Sequence, residues 1–126
     1  MDGYVDVFVL SVPKKNLKKY QKISTAFGKV IKKYGALEYR EFVADDLKVK
    51  NGVKSFIALQ KPKKGEVVVT ALVGFKSKKH RDQVNKNVMK DPSLKPMMEE
   101  MMKNPIHDYK TMTYGGFKTF VNAFGK

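Results

Sequence analysis

The ten residues from Glu66 to Phe75 (EVVVTALVGF) form the most apolar run of the chain, and they constrain its fold more than any other feature. The run is rich in β-branched residues and follows a glycine, Gly65, which is typical of a central β-strand. Successive side chains of a strand point to opposite faces of the sheet, and here both sets are apolar. The segment from Tyr4 to Val12 has the same character. We therefore predict two strands that must be covered on both faces.

Three further segments are predicted to be helical. Lys14 to Tyr34 has apolar residues at spacings of three and four with lysines largely on the opposite side, and Gly35 is suited to end this helix. Ser77 is a typical N-cap for a second helix, which Asp91 and Pro92 would end. A short methionine-rich helix is expected from Pro96 to Lys103.

The remaining strands are predicted at Ala36 to Val43, at Ser55 to Gln60 as a short strand, and at Lys110 to Val121. Two glycines, Gly115 and Gly116, interrupt the last of these strands. They indicate either a β-bulge or a place where another group approaches the backbone closely.

This order of elements predicts one domain over residues 1–126, of the α+β class. The expected architecture is a ferredoxin-like sandwich, with a mostly antiparallel sheet of about four or five strands and helices on one face. Helices on one face leave the other face of two apolar strands bare, and soluble monomers rarely tolerate a large apolar patch. We therefore predict a homodimer that forms through the open sheet face, as a dimeric α/β barrel.

The net charge of +14 raises the question of a nucleic-acid partner. Only Arg40 and Arg81 among the 26 basic residues are arginine, and the lysines are spread along the chain. RNA-recognition sheets stack bases on aromatic side chains of their middle strands. The Glu66–Phe75 strand has no aromatic residue before Phe75. No specific nucleic acid is expected. The basic surface still leaves open a non-enzymatic module that interacts with a polyanion or a protein partner.

The absence of cysteine excludes disulfides, thiolate metal ligands and cysteine nucleophiles. No apolar run approaches the roughly 18 residues of a membrane-spanning helix, so no membrane partner is expected. The first residues do not resemble a signal peptide, because a strand pattern begins almost at once. A cytoplasmic location is therefore expected.

Several short motifs resemble a known family. They are Tyr4-Val5-Asp6, Phe8-Val9, Val12-Pro13, Gly35-Ala36-Leu37-Glu38-Tyr39 with Glu41, Ser55-Phe56, Lys76-Ser77, His80-Arg81-Asp82, Val84-Asn85, Val88-Met89, Asp91-Pro92, Met97-Met98 and Tyr114-Gly115-Gly116-Phe117. The chain resembles the small bacterial proteins of the YbaA-like group, a domain-of-unknown-function family in the dimeric α/β-barrel superfamily. The resemblance extends nearly from end to end. It implies the same fold and a dimer, and it implies no particular activity.

Two residues are the candidates for acid/base catalysis. Asp6 places a carboxylate in an otherwise apolar strand, where it needs a partner or a function. His80 lies in the first turn of the second predicted helix, where the helix dipole favours a neutral imidazole. For Asp6 the alternatives are a structural carboxylate paired with a lysine or a backbone amide and an exposed position on an edge strand. For His80 the alternative is a packed histidine that forms hydrogen bonds near the helix cap.

Four residues are candidates for ligand binding. Tyr39 and Glu41 share one face of the second strand, Asn85 lies on the second helix, and Tyr114 adjoins the paired glycines. No two of the candidate carboxylates and histidines have the spacing of a metal-binding motif, so no metal site is predicted. The sequence leaves open whether a cofactor is bound.

The sequence thus supports a homodimer that binds a small apolar or aromatic molecule in a cleft between sheet and helices. Analogy with the superfamily implies a cofactor-independent oxygenase or isomerase as the enzymatic form of this hypothesis. Asp6 and His80 would then act as acid and base, and Tyr114 would orient the ligand. The basic interaction module is the alternative, and the sequence leaves enzyme and non-enzyme open.

Overall fold

The computed structural model describes residues 3–125. Within these residues, four strands and four α-helices follow one another in the order β1 (Tyr4–Pro13), α1 (Leu17–Lys33), β2 (Glu38–Val43), α2 (Phe56–Gln60), β3 (Glu66–Phe75), α3 (Lys78–Val88), α4 (Leu94–Lys103) and β4 (Thr113–Lys118). Single 3₁₀ turns occupy Lys14–Asn16 and Tyr109–Thr111. Within the described residues, no helix is both long and apolar enough to cross a membrane.

The four strands form one antiparallel sheet in the order β2-β3-β1-β4. The two segments that are apolar on both faces, β1 and β3, are its central strands. They pair along their full length, from Tyr4 opposite Phe75 to Pro13 opposite Glu66. The predicted α+β class, the antiparallel sheet and the central position of the Glu66–Phe75 strand are confirmed.

One face of the sheet packs against the helices. Val73 and Phe75 of β3 form a buried cluster with Ile31 of α1, Val84 of α3 and Leu94 of α4. Each of these side chains is at most 3% exposed. The apolar stripes at helical spacing therefore dock on the sheet as their periodicity predicts.

The opposite face of the sheet is only partly covered. Val9, Ser11 and Val68 are buried at one end of this face, whereas side chains nearer the other end are half-buried or exposed. Phe42 and Phe117 are exposed apolar residues on this face. The bare second face that the sequence predicts is present, and we call it the open face.

Two predicted strands are wrong in type or length. The segment Ser55 to Gln60 is the helix α2, because the Ser55 hydroxyl caps it by accepting a hydrogen bond from the amide of Ile57 at 3.1 Å. This local cap outweighs the β-propensity of the aromatic and β-branched residues that follow. The last strand is limited to Thr113–Lys118, since the chain forms a 3₁₀ turn just before it.

The paired glycines of β4 form no bulge, because the register with β1 is unbroken from Thr113 to Lys118. A Cβ atom on Gly116 would lie 2.9 Å from both Cε1 and Cζ of the Tyr4 ring. The alternative of a close approach to the backbone is therefore confirmed. Gly35 ends α1 with a φ of +108°, and Ser77 caps α3, both as predicted. The methionine-rich helix begins earlier than expected, at Leu94.

Candidate functional site

An open cleft of about 680 Å³ lies between α1 and the β2 edge of the sheet. Helix α1 contributes about two residues per turn to one wall, and β2 with the residues before it forms the opposite wall. The lining residues are Leu17, Lys18, Tyr20, Gln21, Ser24, Thr25, Gly28, Lys29, Lys32, Ala36, Leu37, Glu38, Tyr39, Glu41, Phe42, Val43 and Val69. Tyr39 and Glu41, both predicted from sequence as ligand-binding residues, lie in this cleft.

Gly28 allows the tyrosine of β2 to lie against α1. A Cβ atom at Gly28 would be 3.0 Å from Cδ1 and 3.3 Å from Cε1 of Tyr39, which is closer than ordinary van der Waals contact. The Tyr39 ring also packs at a tilt against Phe27, with ring centroids 5.8 Å apart. The missing side chain in mid-helix therefore sets the width of the cleft at this point.

The polar centre of the cleft is the carboxylate of Glu41. The hydroxyl of Tyr20 donates to its Oε1 and the hydroxyl of Tyr39 donates to its Oε2. Burial raises the pKa of both phenols, and the hydrogen bond to Glu41 and its negative charge raise the pKa further. Both hydroxyls therefore remain protonated donors at neutral pH, and they hold the carboxylate in one orientation. Glu41 keeps free lone pairs with which to accept a hydrogen bond from a ligand.

A buried histidine packs against one of these two phenols, Tyr20. His107 is 8% exposed, and its ring packs edge-on against Tyr20 at 5.9 Å and Tyr109 at 4.6 Å. Its Nδ1 atom has no hydrogen-bond partner among the described residues. Burial lowers the pKa of His107, because it penalises the imidazolium. The ring therefore packs as a neutral group against the back of the cleft.

Asp6 belongs to a separate cluster on the other side of the helix-covered face. Its Oδ1 accepts a hydrogen bond from Nη1 of Arg81 at 2.8 Å, in an ion pair whose side chains are 4% and 13% exposed. The same Nη1 donates to the Tyr114 hydroxyl at 2.9 Å, and the guanidinium lies 5.1 Å from the Tyr4 ring centre. Asp6 and Tyr114, two of the predicted site residues, are thus joined through Arg81.

The two predicted residues on α3 take positions of their own. Nδ1 of His80 accepts a hydrogen bond from the backbone amide of Lys76 at 2.9 Å, and its ring packs edge-on against Phe75 at 5.9 Å. Asn85 is half-buried one turn further along the helix. Neither residue lines the cleft.

The structure therefore divides the six predicted residues. Tyr39 and Glu41 meet in the cleft, Asp6 and Tyr114 meet at Arg81, and the two α3 residues stand apart. Asp6 is a paired carboxylate, but its partner is Arg81 rather than the lysine or backbone amide expected from the sequence. The hydrogen bond of His80 near the helix cap matches the alternative stated for it. The acid/base role of both residues stays a prediction. Within residues 3–125, no three histidine, aspartate or glutamate side chains lie close enough together to hold a metal ion.

Sequence reasoning missed Tyr20 and His107 as members of the site. Tyr20 reads as one more apolar residue of the α1 stripe, yet a buried tyrosine hydroxyl needs a hydrogen-bond partner. The position of Tyr20 on the packed stripe of α1, together with a carboxylate at Glu41 on the facing strand, could have indicated this hydrogen bond. His107 follows Pro105 in a stretch with no periodicity, and nothing in its local sequence indicates burial.

The fold and the cleft define an α+β protein with an antiparallel open sheet that is covered by helices on one face. A solved structure with a similar fold is that of a mutant form of SnoaB, a cofactor-independent oxygenase from Streptomyces nogalater. The TM-score is 0.55 and the sequence identity 11%, and the match covers 99% of this chain and 100% of that one. At this identity the likeness concerns the fold alone.

The family is shown by sequence. The chain belongs to the family described as "Protein of unknown function (DUF1428)", which matches residues 3–107. It is also 34% identical over 120 residues to the "Uncharacterized protein YbaA" of Escherichia coli K12, and equally to that of Shigella flexneri. Each match covers 94% of this chain and 97% of the relative. The predicted YbaA-like family is confirmed, and the family match includes Tyr20, Tyr39, Glu41 and His107.

Proposed function

We propose that this protein is a homodimer in which each copy binds a small apolar or aromatic molecule in the cleft between α1 and β2. The observation that carries the proposal is the cleft itself, whose apolar walls surround a carboxylate held by two phenols. Ligand pockets typically have volumes of about 300 to 1,000 Å³, mostly apolar walls and a few placed polar groups. The volume of about 680 Å³ and the Tyr20–Glu41–Tyr39 centre fit that description.

The cleft contains the groups that such a ligand needs. Leu17, Ala36, Val43 and Val69 offer apolar contact, and the Tyr39 ring offers an aromatic surface. The Glu41 carboxylate can accept a hydrogen bond from a hydroxyl or amide of the ligand and so fix its orientation. Because neither Asp6 nor His80 lines the cleft, the proposal concerns binding and assigns no reaction.

A thermal-shift screen of small apolar and aromatic compounds tests the binding proposal. A ligand that binds only the native state at 100 times its Kd stabilises it by about 2.7 kcal/mol, which is readily seen as a rise in Tm. The variant Ser24→Phe would fill the cleft from α1, and Gln83→Phe, an exposed position on α3, is the matched control. Hits should stabilise the wild type and the control but not Ser24→Phe. Hits that stabilise all three equally would contradict a site in this cleft.

The open face supports the dimer. It carries half-buried Val5, Val7 and Leu72 together with exposed Phe42 and Phe117. A second copy placed on this face would cover the part of β1 and β3 that is not already buried there, and an isologous pair closes the assembly. Light scattering after size exclusion should give twice the chain mass of 14.4 kDa. The variant Leu72→Glu should give the monomer, whereas a monomeric wild type at micromolar concentration would refute the dimer.

The distribution of charge favours a second candidate, a basic module that meets a polyanion or a protein partner. Residues 14–37 contain eight lysines and no acidic residue, the lysines being Lys14, Lys15, Lys18, Lys19, Lys22, Lys29, Lys32 and Lys33. Retention on a heparin column would test this candidate. Binding that falls steeply between about 50 and 200 mM salt, without preference among polyanions, would mark general charge attraction rather than a specific partner.

We also propose a cytoplasmic location. Cell fractionation with a C-terminally tagged chain tests it, and recovery of the tagged protein in the culture medium would contradict it.

A further inference from the structure

The rim of the cleft carries lysines that form no ion pair with any carboxylate of residues 3–125. Lys18, Lys29 and Lys32 all line the cleft from α1, and all three are exposed. Within residues 3–125, the only lysine of α1 with a carboxylate at ion-pair distance is Lys33, whose Nζ lies 3.4 Å from Asp91. The three rim lysines therefore present free positive charge at the entrance of an apolar space.

The same rim extends onto the outer side of α1. A shallower depression there shares Lys18, Gln21, Thr25 and Lys29 with the cleft and adds a further lysine, Lys22. The cationic surface and the apolar cleft are thus continuous along one helix. A ligand that enters the cleft passes these side chains.

The interior of the cleft carries negative charge, opposite to that of the rim. Glu41 lies among the lining residues with its carboxylate held by Tyr20 and Tyr39, so a second carboxylate brought beside it would meet a like charge. An anionic group therefore stays at the rim, and the apolar part of its molecule faces inward. Exposed apolar side chains at the cleft, Leu37 at 61% and Val43 at 54%, would be covered by that part.

The cleft is long as well as apolar. Its lining runs along α1 from Leu17 to Lys32, and fifteen residues of helix rise about 22 Å. An elongated molecule would fit along this helix more fully than a compact one.

From this arrangement we propose that the natural ligand is a single-chain amphipathic anion. Its extended apolar body occupies the cleft, and its carboxylate lies between Lys29 and Lys32, which are about one helical turn apart at the rim. This inference rests on the proposed function of the cleft and names the chemical class of its ligand. The lysines supply selection for charge, and Leu17, Val43 and Val69 supply the apolar contact.

The test compares decanoate with decanol, which have the same chain and differ in charge. Amide chemical shifts of Ser24 and Gly28, followed by NMR during titration, report binding in the cleft. Two screened surface ion pairs should favour decanoate by about tenfold at low salt. The preference should shrink as salt rises from about 50 to 500 mM, because screening weakens exposed charges.

Variants separate this inference from the proposed function. The double variant Lys29→Met/Lys32→Met should lose the preference for decanoate while it still binds decanol. The control Lys86→Met/Lys103→Met, which removes two exposed lysines outside the cleft lining, should keep the preference.

Three results would overturn the inference in different ways. Equal binding of decanoate and decanol by the wild type would refute the anionic class and leave the proposed cleft in place. Acetate alone producing the same shifts would show that the lysines bind simple anions without the cleft. If neither chain shifts the Ser24 and Gly28 amides, the inference fails, whereas the proposed function is decided separately by the thermal-shift screen with Ser24→Phe.

Discussion

Removing the charge of Asp6 should destabilise the protein through Arg81. The two side chains lie 2.8 Å apart and are 4% and 13% exposed, so the pair is almost out of water. Deleting one partner of a buried ion pair costs about 3 to 5 kcal/mol, because the other charge remains buried. Arg81 keeps a second carboxylate, since its Nε lies 2.7 Å from the more exposed Asp82. We therefore expect Asp6→Asn to cost about 2 to 3 kcal/mol, below that range for an uncompensated charge.

The measurement is urea unfolding at pH 7 of four proteins: the wild type, Asp6→Asn, Arg81→Met and the double variant. Neighbouring groups in one network typically couple by about 0.5 to 3 kcal/mol. The double variant should therefore lose less stability than the sum of the two single variants. The control is the exposed pair Glu38–Arg40, whose atoms lie 3.6 Å apart with side chains 43% and 62% exposed. Glu38→Gln should change stability by less than about 0.5 kcal/mol.

A small effect would refute the reasoning. If Asp6→Asn stays within about 0.5 kcal/mol of the wild type and shows no coupling to Arg81, the pair does not hold the structure. The ligand-facing role predicted for Asp6 from the sequence would then gain support. A loss of stability near the expected value identifies Asp6 as a structural carboxylate that fixes α3 and β4 against β1.

Three further outcomes follow from single contacts. Gly28→Ala should destabilise the protein by about 1 kcal/mol in urea unfolding, because strain against the Tyr39 ring exceeds the gain in helix propensity; the same change should stabilise a Tyr39→Ala background. Gly116→Ala should cost about 1 to 3 kcal/mol by overpacking, whereas its neighbour Gly115, with its nearest contact at 3.5 Å, should tolerate alanine. The pKa of His107 is lowered in the folded state. The stability that neutral His107 contributes is therefore present above the ordinary histidine pKa of 6.5 and is lost as the pH falls below 6.5. His107→Phe should make the free energy of unfolding less dependent on pH below 6.5.

The framework of the fold could be predicted from the sequence because its signals are local. A run of β-branched residues indicates a strand wherever it occurs, and the helical spacing of Ile31 and its neighbours on α1 indicates the face that packs. Local signals also conflict. In the segment after Ser55, the hydroxyl cap favours a helix, whereas Phe56 and Ile57 favour a strand. The structure contains the helix, and the composition alone does not show which of the two effects is stronger.

The site was less predictable because its contacts join distant parts of the chain. Tyr20 and Glu41 are 21 positions apart, and they meet only because Gly28 lets β2 approach α1. Asp6 and Arg81 are 75 positions apart. The sequence predicted Tyr39 and Glu41 from their shared strand face, but their partner depends on how α1 is rotated about its axis. No local pattern reports that rotation.

The strand β3 shows how one sequence signal serves two purposes. Its alternate residues Val69, Val73 and Phe75 are buried under the helices, where they define the core on which α1 is placed. The other set includes Leu72, which is half-buried on the open face. If a second copy covers that face, the sheet is fixed from both sides and the β2 edge cannot shift relative to α1. Leu72→Glu should then weaken ligand binding in the cleft as well as the dimer, although Leu72 does not line it. Unchanged ligand affinity in a monomeric Leu72→Glu variant would show that the cleft is complete within one chain.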